Sequence, residues 1–204
     1  MPKKSKPPKA TRPDIPGYGL PKSRKGLLPW KWADDRLRKS KQYWLATTRP
    51  DGRPHVMVVW GVWVNDEFWL STGRTSRKAR NLAANSHCVV CNEDSAQAVI
   101  VEGMAEVVDD KTRLEPVFVA YQQKYKMDIR GMGEPMFRVR PAVVFGLYEK
   151  KFGETATRWL FPEHKDFERK SSPRSARRRT QRSAVRPPNP AEYDSSCPPP
   201  RTSS

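Results

Sequence analysis

The sequence predicts a mainly β fold, six or seven antiparallel strands curled into a barrel with two or three helices on it. Three observations carry this. Short runs rich in Val, Trp and Thr recur from Tyr43 to Phe161. Tight-turn signals, Pro50-Asp51-Gly52 and Asn65-Asp66 among them, separate the runs. Helical spacing of apolar residues occurs only in brief stretches between them.

In chain order, Trp30 to Gln42 reads as a short helix with Asp34 placed to pair Arg38 at i,i+4. Tyr43–Thr48 is a strand that the Pro-Asp-Gly turn ends. His55 to Val64 is one long apolar run, suited to a strand buried on both faces. Asn65-Asp66 turns the chain into Glu67–Thr72, completing a three-stranded meander. Thr75 or Ser76 caps a helix to Asn85, with Ala79, Leu82 and Ala83 inward. His87–Asn92 and Gln97–Val108 form a hairpin. Asp109 or Asp110 opens a second helical stretch in which Leu114, Val117, Phe118 and Tyr121 recur at helical spacing, and Pro116 implies a broken first turn. Gly131 to Pro135 is a loop; Ala142–Lys150 and Thr157–Phe161 close the sheet.

Charge divides the chain. Of the net +17, residues 1–25 carry eight Lys/Arg against one acid and residues 163–204 ten against five. Both segments are rich in proline and poor in large apolar residues, so they read as disordered basic tails flanking one domain at 26–162. The tails could touch nucleic acid by counterion release, although solvated tails are the expected reading. No apolar run reaches the roughly 20 residues of a membrane span. The basic start lacks an apolar signal-peptide stretch, so a cytoplasmic protein is expected. Cys88 and Cys91 have C-x-x-C spacing but lie on a strand, where positions three apart face opposite sides; a structural role is expected, and no metal.

The most informative string is Trp69-Leu-Ser-Thr-Gly-Arg-Thr-Ser-Arg-Lys-Ala-Arg-Asn-Leu82. A strand ends in Ser71-Thr72, and Ser76-Arg77-Lys78 opens a helix. Hydroxyls, free N–H groups and cations meet where a helix dipole favours an anion, which suits a phosphate. An exposed basic first turn is the competing reading. Three histidines without a nucleophile motif give no catalytic triad. His55 either faces a ligand or caps a strand end, and Trp60, Trp63 and Trp69 are core or interface residues, Trp60 being the candidate to lie against a ligand ring.

Taken in order, Tyr43-Trp-Leu-Ala-Thr-Thr-Arg-Pro-Asp-Gly-Arg-Pro-His55, the apolar strand to Trp63, Ser71-Thr72 and Ser76-Arg-Lys-Ala-Arg-Asn-Leu82 resemble the pyridoxamine 5′-phosphate oxidase-like flavoproteins. The resemblance covers residues 30–162. It implies an FMN-binding split β-barrel, working as a homodimer with the cofactors at the subunit interface. It implies an oxidoreductase that passes hydride to or from a small molecule. By the same resemblance Thr72, Ser76, Arg77 and Lys78 hold the flavin phosphate. The segment Val56 to Trp60 runs beside the ring, with Val58, Val59 and Trp60 binding cofactor, and Arg158 and Trp159 reach the partner's cofactor. Met57 and Val62 stand where the pyridoxamine phosphate oxidases carry Arg and Lys, and Thr157-Arg-Trp-Leu-Phe-Pro162 lacks their Arg-x-His element. An activity other than true pyridoxamine phosphate oxidation is therefore implied. Lys78-Ala-Arg80-Asn81-Leu82 also fits the family's deazaflavin (F-420 type) reductases, whose acidic coenzyme Arg53, Arg74, Arg77 and Arg80 could accept. Haem, or a non-enzymatic flavin- or nucleic-acid-binding role, completes the alternatives.

Overall fold

A computed structural model describes residues 7–162 together with Lys165 and Phe167. The elements are β1 (Lys9–Thr11), α1 (Trp30–Lys39), β2 (Tyr43–Thr48), β3 (Pro54–Val59), β4 (Val62–Val64), β5 (Glu67–Ser71), α2 (Arg77–Ala84), β6 (His87–Asn92), β7 (Gln97–Val108), α3 (Lys111–Tyr125), β8 (Met136–Tyr148), the single turn α4 (Phe152–Thr155) and β9 (Thr157–Leu160). All pairings are antiparallel. The main path runs β1-β9-β8-β7-β6-β2-β3, while β5 pairs β4 and β8. The path is open rather than closed, as in a split barrel.

The split follows from β8. Met136–Val139 of β8 pairs with β5, whereas Val143–Gly146 pairs with β9. Between the two, the β7–β8 register shifts: Glu102 faces Val143 and Gly103 faces Pro141, leaving Ala142 as the extra residue of a bulge. A Cβ on Gly103 would lie 2.3 Å from the Arg140 carbonyl oxygen, so the close approach needs glycine.

Strand alternation gives the sheet two unlike faces. Leu45, Val90, Val101, Val144 and Trp159 stand opposite one another across β2, β6, β7, β8 and β9 and are fully buried. Helix α1 covers this face: Ala33 and Leu37 are buried, and the Trp30 ring meets Trp159 edge-on at 5.5 Å. Asp34 accepts from both Arg38 and the Trp63 indole, confirming the expected i,i+4 pair. The opposite face carries Val58, Trp44, Cys91, Ile100 and Phe145 in one cross-strand row. Trp44 is 49% exposed, Val56 50% and Val58 40%.

A second core cluster forms where α3 lies over Val62, Trp69, Val108 and Met136. Leu114, Val117 and Tyr121 supply its inner stripe as the spacing predicts. Asp110 caps the helix by accepting from the Thr112 and Arg113 amides, and Pro116 sits inside it without ending it. The proline removes one N–H from the ladder, and packing of the apolar stripe carries the helix through.

The expected single strand from His55 to Val64 is corrected. It is two strands, β3 on β2 and β4 on β5, with a crossover at Trp60-Gly61. A Cβ on Gly61 would lie 2.2 Å from the Phe68 ring. β3 is a sheet edge and most of its side chains are exposed, so burial on both faces is corrected as well. The Asn65-Asp66 turn has φ of 55° and 61°, the mirror-image turn that matches strand twist. In α2 the buried residues are Ala79, Asn81 and Leu82; Ala83 faces solvent.

The expected disordered tail over 1–25 is corrected for its described part. β1 pairs β9 in the register Lys9–Leu160, and the Arg12 guanidinium donates to the carbonyls of Glu154 (2.8 Å), Ala156 (3.0 Å), Ser23 (3.2 Å) and Lys25 (2.8 Å). Composition alone hides this, because backbone pairing and one arginine do the work. At the other end the Phe167 ring lies 5.0 Å from His87; the expectation for 163–204 otherwise falls outside the described residues. A chain beginning at Gly26 is expected to unfold at a lower urea midpoint than the full chain. Arg12→Met should reproduce part of that loss, at about 1 kcal/mol or more for the bonds removed. Equal midpoints for all three would mean that the arm adds nothing to stability.

Candidate phosphate and cofactor site

The site is built where β5 leads into α2. Ser76 is extended at φ −62° and ψ 151° and caps the helix, its Oγ accepting from the Ala79 amide at 3.2 Å. The hydroxyls of Thr72 and Ser76 are 3.1 Å apart, and Thr72 is buried. The amides of Arg77 and Lys78, the first two helical residues, have no acceptor within the helix. The Arg74 amide is already taken by Glu134 at 3.2 Å, and the Ser76 amide by the Gly73 carbonyl. The donors left open are thus one hydroxyl proton of the Thr72–Ser76 pair and two amides at the positive end of a helix.

Cations gather beside them. Among the described residues no carboxylate pairs with Arg49, Arg77 or Lys78, and the half-exposed Arg49 has a buried Nε without a partner. Arg53, by contrast, pairs with Asp51 at 2.7 Å on the surface. The Arg53 hydrogen bonds hold the Asp51 carboxyl below its ordinary range, with Arg49 and Arg77 adding to the effect.

His55 joins the helix to β3. Its Nδ1 lies 3.4 Å from Thr47 Oγ1, and Thr47 Oγ1 accepts from Asn81 Nδ2 at 3.0 Å. Asn81 is fully buried, and its Oδ1 has no partner among the described residues. Desolvation lowers the His55 pKa, and the charges of Arg49, Lys78 and Arg77 lower it further. The first strand residues therefore sit within the field of the helix cations. Sequence reasoning gave Asn81 structural work in the helix but missed its partner Thr47 and missed Arg49; the only local signal for both was their place just before the Asp-Gly turn.

From His55 the edge strand runs away from the cations, its exposed residues Val56, Met57 and Val58 followed by Trp60 at 51% exposure. Trp60 stacks on Tyr125 with centroids 5.0 Å apart and planes 6° apart. The Val59 side chain points into the core, leaving only its backbone to a ligand. Thr72, Ser76, Arg77 and Lys78 are brought together, and Val58 and Trp60 share the adjoining edge. Trp63, Trp69 and Trp159 are core residues, and Arg158 donates to Thr11 at 3.2 Å. Buried Trp159 therefore cannot reach a second subunit's ligand, correcting that expectation. Cys88 is buried and Cys91 half-buried on the other face of β6; burial raises both thiols, Cys88 to about 12.

An open antiparallel barrel with a free helix start beside an apolar strand edge defines the class by its fold: a split β-barrel. The pyridoxamine 5′-phosphate oxidase family model matches residues 31–149, and the chain belongs to that family. Among solved structures it is similar to the conserved hypothetical protein Rv2991 of Mycobacterium tuberculosis (24% identity, 64% of this chain and 91% of that one, TM-score 0.55). It is similar to a haem-binding protein of Mycobacterium smegmatis (19%, 59% and 55%, TM-score 0.50) and to an F420 reductase (23%, 54% and 94%, TM-score 0.46). No curated protein matches the chain. Among the described residues no helix is long and apolar enough to cross a membrane.

Because His55 favours its neutral form, the unfolded chain takes up this proton first as pH falls. The contribution of His55 to stability is therefore lost between the ordinary histidine value and its lowered one. Arg77→Gln is expected to raise the His55 pKa, read from the imidazole proton resonances. An unchanged titration would mean that the helix cations do not reach the strand.

Proposed function

We propose that the protein is a homodimeric flavoprotein oxidoreductase that holds FMN with its phosphate at the start of α2 and its ring along β3. One observation carries the reading: His55 opens the exposed apolar edge and is tied through Thr47 to Asn81 of α2, so the helix start and the apolar edge adjoin. The donor set fits a phosphate monoester. The Thr72–Ser76 hydroxyl pair and the amides of Arg77 and Lys78 would donate to its oxygens, with Arg77, Lys78 and Arg49 supplying charge.

Bound there, a flavin supplies the hydride chemistry, and the protein supplies placement and surroundings. Val56, Val58 and Trp60 shield the ring from water. The outward row of Trp44, Val58, Ile100 and Phe145 is the face a second copy would cover, and an uncovered apolar face of this kind favours association. Met57 is exposed on β3 but Val62 is buried among α3 side chains, so neither offers the charged contact of the pyridoxamine phosphate oxidases.

Deazaflavin of the F-420 type is the second reading. It is favoured by Arg74, Arg77 and Arg80, which are exposed, lie on or beside the same helix start and have no acidic partner among the described residues.

The visible spectrum and released-cofactor mass of freshly purified protein separate FMN, deazaflavin and haem, and a colourless protein that binds none of them overturns the reading. Lys78→Ala should weaken FMN retention by about ten- to a hundredfold, the worth of a charged hydrogen bond. Retention equal to that of the original protein would refute the phosphate assignment. Val58→Asp should yield a folded monomer by sedimentation, whereas an unchanged dimer would place the interface elsewhere.

A further inference from the structure

Beside β4, α1 and α3 flank an open cleft of about 300 Å³ lined by Arg38, Val62, Trp63, Ala120, Gln123 and Lys124. Its volume is at the low end of small-molecule sites. Lys124 is the unusual residue. Its Nζ donates to the Tyr43 hydroxyl at 2.7 Å and to the Gly61 carbonyl at 3.0 Å. An ammonium has three N–H groups, and the third has no acceptor among the described residues. The Tyr43 hydroxyl in turn donates to the Leu37 carbonyl.

Among the described residues no carboxylate pairs with Lys124. The acid whose charge acts on it is Glu93, whose two oxygens already accept from the Lys41 and Gln42 amides at 3.0 Å and 3.1 Å. The other titratable groups around it are phenols, Tyr43 and Tyr125, with ring centroids 4.7 Å and 5.5 Å from Nζ. Arg38 has a similar surplus: Nε is on Asp34 and Nη1 on the Trp63 carbonyl at 3.3 Å, leaving Nη2 without an acceptor among the described residues.

We propose that this cleft binds a small organic carboxylate, its head held by Lys124 and Arg38 and its body lying against Ala120 and the Gln123 stem, over the buried Val62 and Trp63. The site is separate from the phosphate cradle and does not depend on which cofactor the protein holds. Burial, only partly offset by the charge of Glu93, pushes the Lys124 ammonium down to about 8. A bound carboxylate supplies the missing charge and reverses that displacement. Affinity therefore falls as pH rises through 8, because the amine that loses its proton is the one the ligand needs.

Benzoate is the probe, titrated calorimetrically into the full-length protein as purified, with benzamide as the uncharged control. Saturable benzoate binding at pH 7, weakening by up to about tenfold per pH unit above 8, is the expected result, with much weaker benzamide binding. Lys124→Arg should bind at pH 7 and keep its affinity to pH 10, since guanidinium does not titrate there. Lys124→Gln should lose tenfold or more and Arg38→Gln less. The proposal is overturned by absent benzoate binding, by equal benzamide binding, or by the same pH profile in Lys124→Arg. If Lys124→Gln fails to fold, the Lys124→Arg profile decides alone.

Discussion

The architecture turns on one bulge. β8 is thirteen residues long and cannot keep one neighbour throughout, because β5 and β9 claim different halves of the same edge. Ala142 is the residue that lets it change partner, and Gly103 is what allows the opposing backbone to come close enough. An extra residue kinks and twists the strand that carries it, so the sheet splays instead of closing. On the resulting sheet α2 packs against β2, and α3 against β4.

The Trp60-Gly61 crossover completes the division. Backbone groups that leave one ladder before entering the next must find other partners. Here α3 supplies them. Tyr121 donates to the Trp60 carbonyl at 3.2 Å, and the Tyr125 hydroxyl accepts from the Gly61 amide at 3.0 Å and lies 2.8 Å from its carbonyl. The helix therefore fixes both the end of the exposed strand and the beginning of the buried one. The ring surface proposed for the flavin is the stretch just before this clamp.

Much of this was legible in the sequence because it is local. The β6–β7 hairpin, the α2 cap at Ser76 and the inner stripe of α3 each follow from periodicity and capping chemistry over a few residues. What escaped was non-local. Nothing in His55-to-Val64 reveals that its halves pair with different strands, since both halves are apolar and only the Phe68 ring against Gly61 forces the break. Arg12 reads as one more charge in a basic tail until its four carbonyl partners, two of them some 140 residues away, are in place. In the site, Thr72 and Ser76 were visible as a motif, while Arg49 and the Thr47–Asn81 tie needed the fold. Lys124 carried no signal at all: one lysine in a helix looks like another until its burial is known.

The two ends of the sheet path are unequal. At one end β1 is three residues long, begins beside lysine and proline, and is strapped down by Arg12, so it is a poor template for another strand. At the other, β3 offers six residues with an apolar, exposed middle. A sheet with two good edges can extend without limit, copy upon copy. A sheet with one good edge exhausts its valence at the first meeting. The N-terminal arm leaves its end of the path short, so of the two ends only β3 presents a long apolar strand to its surroundings.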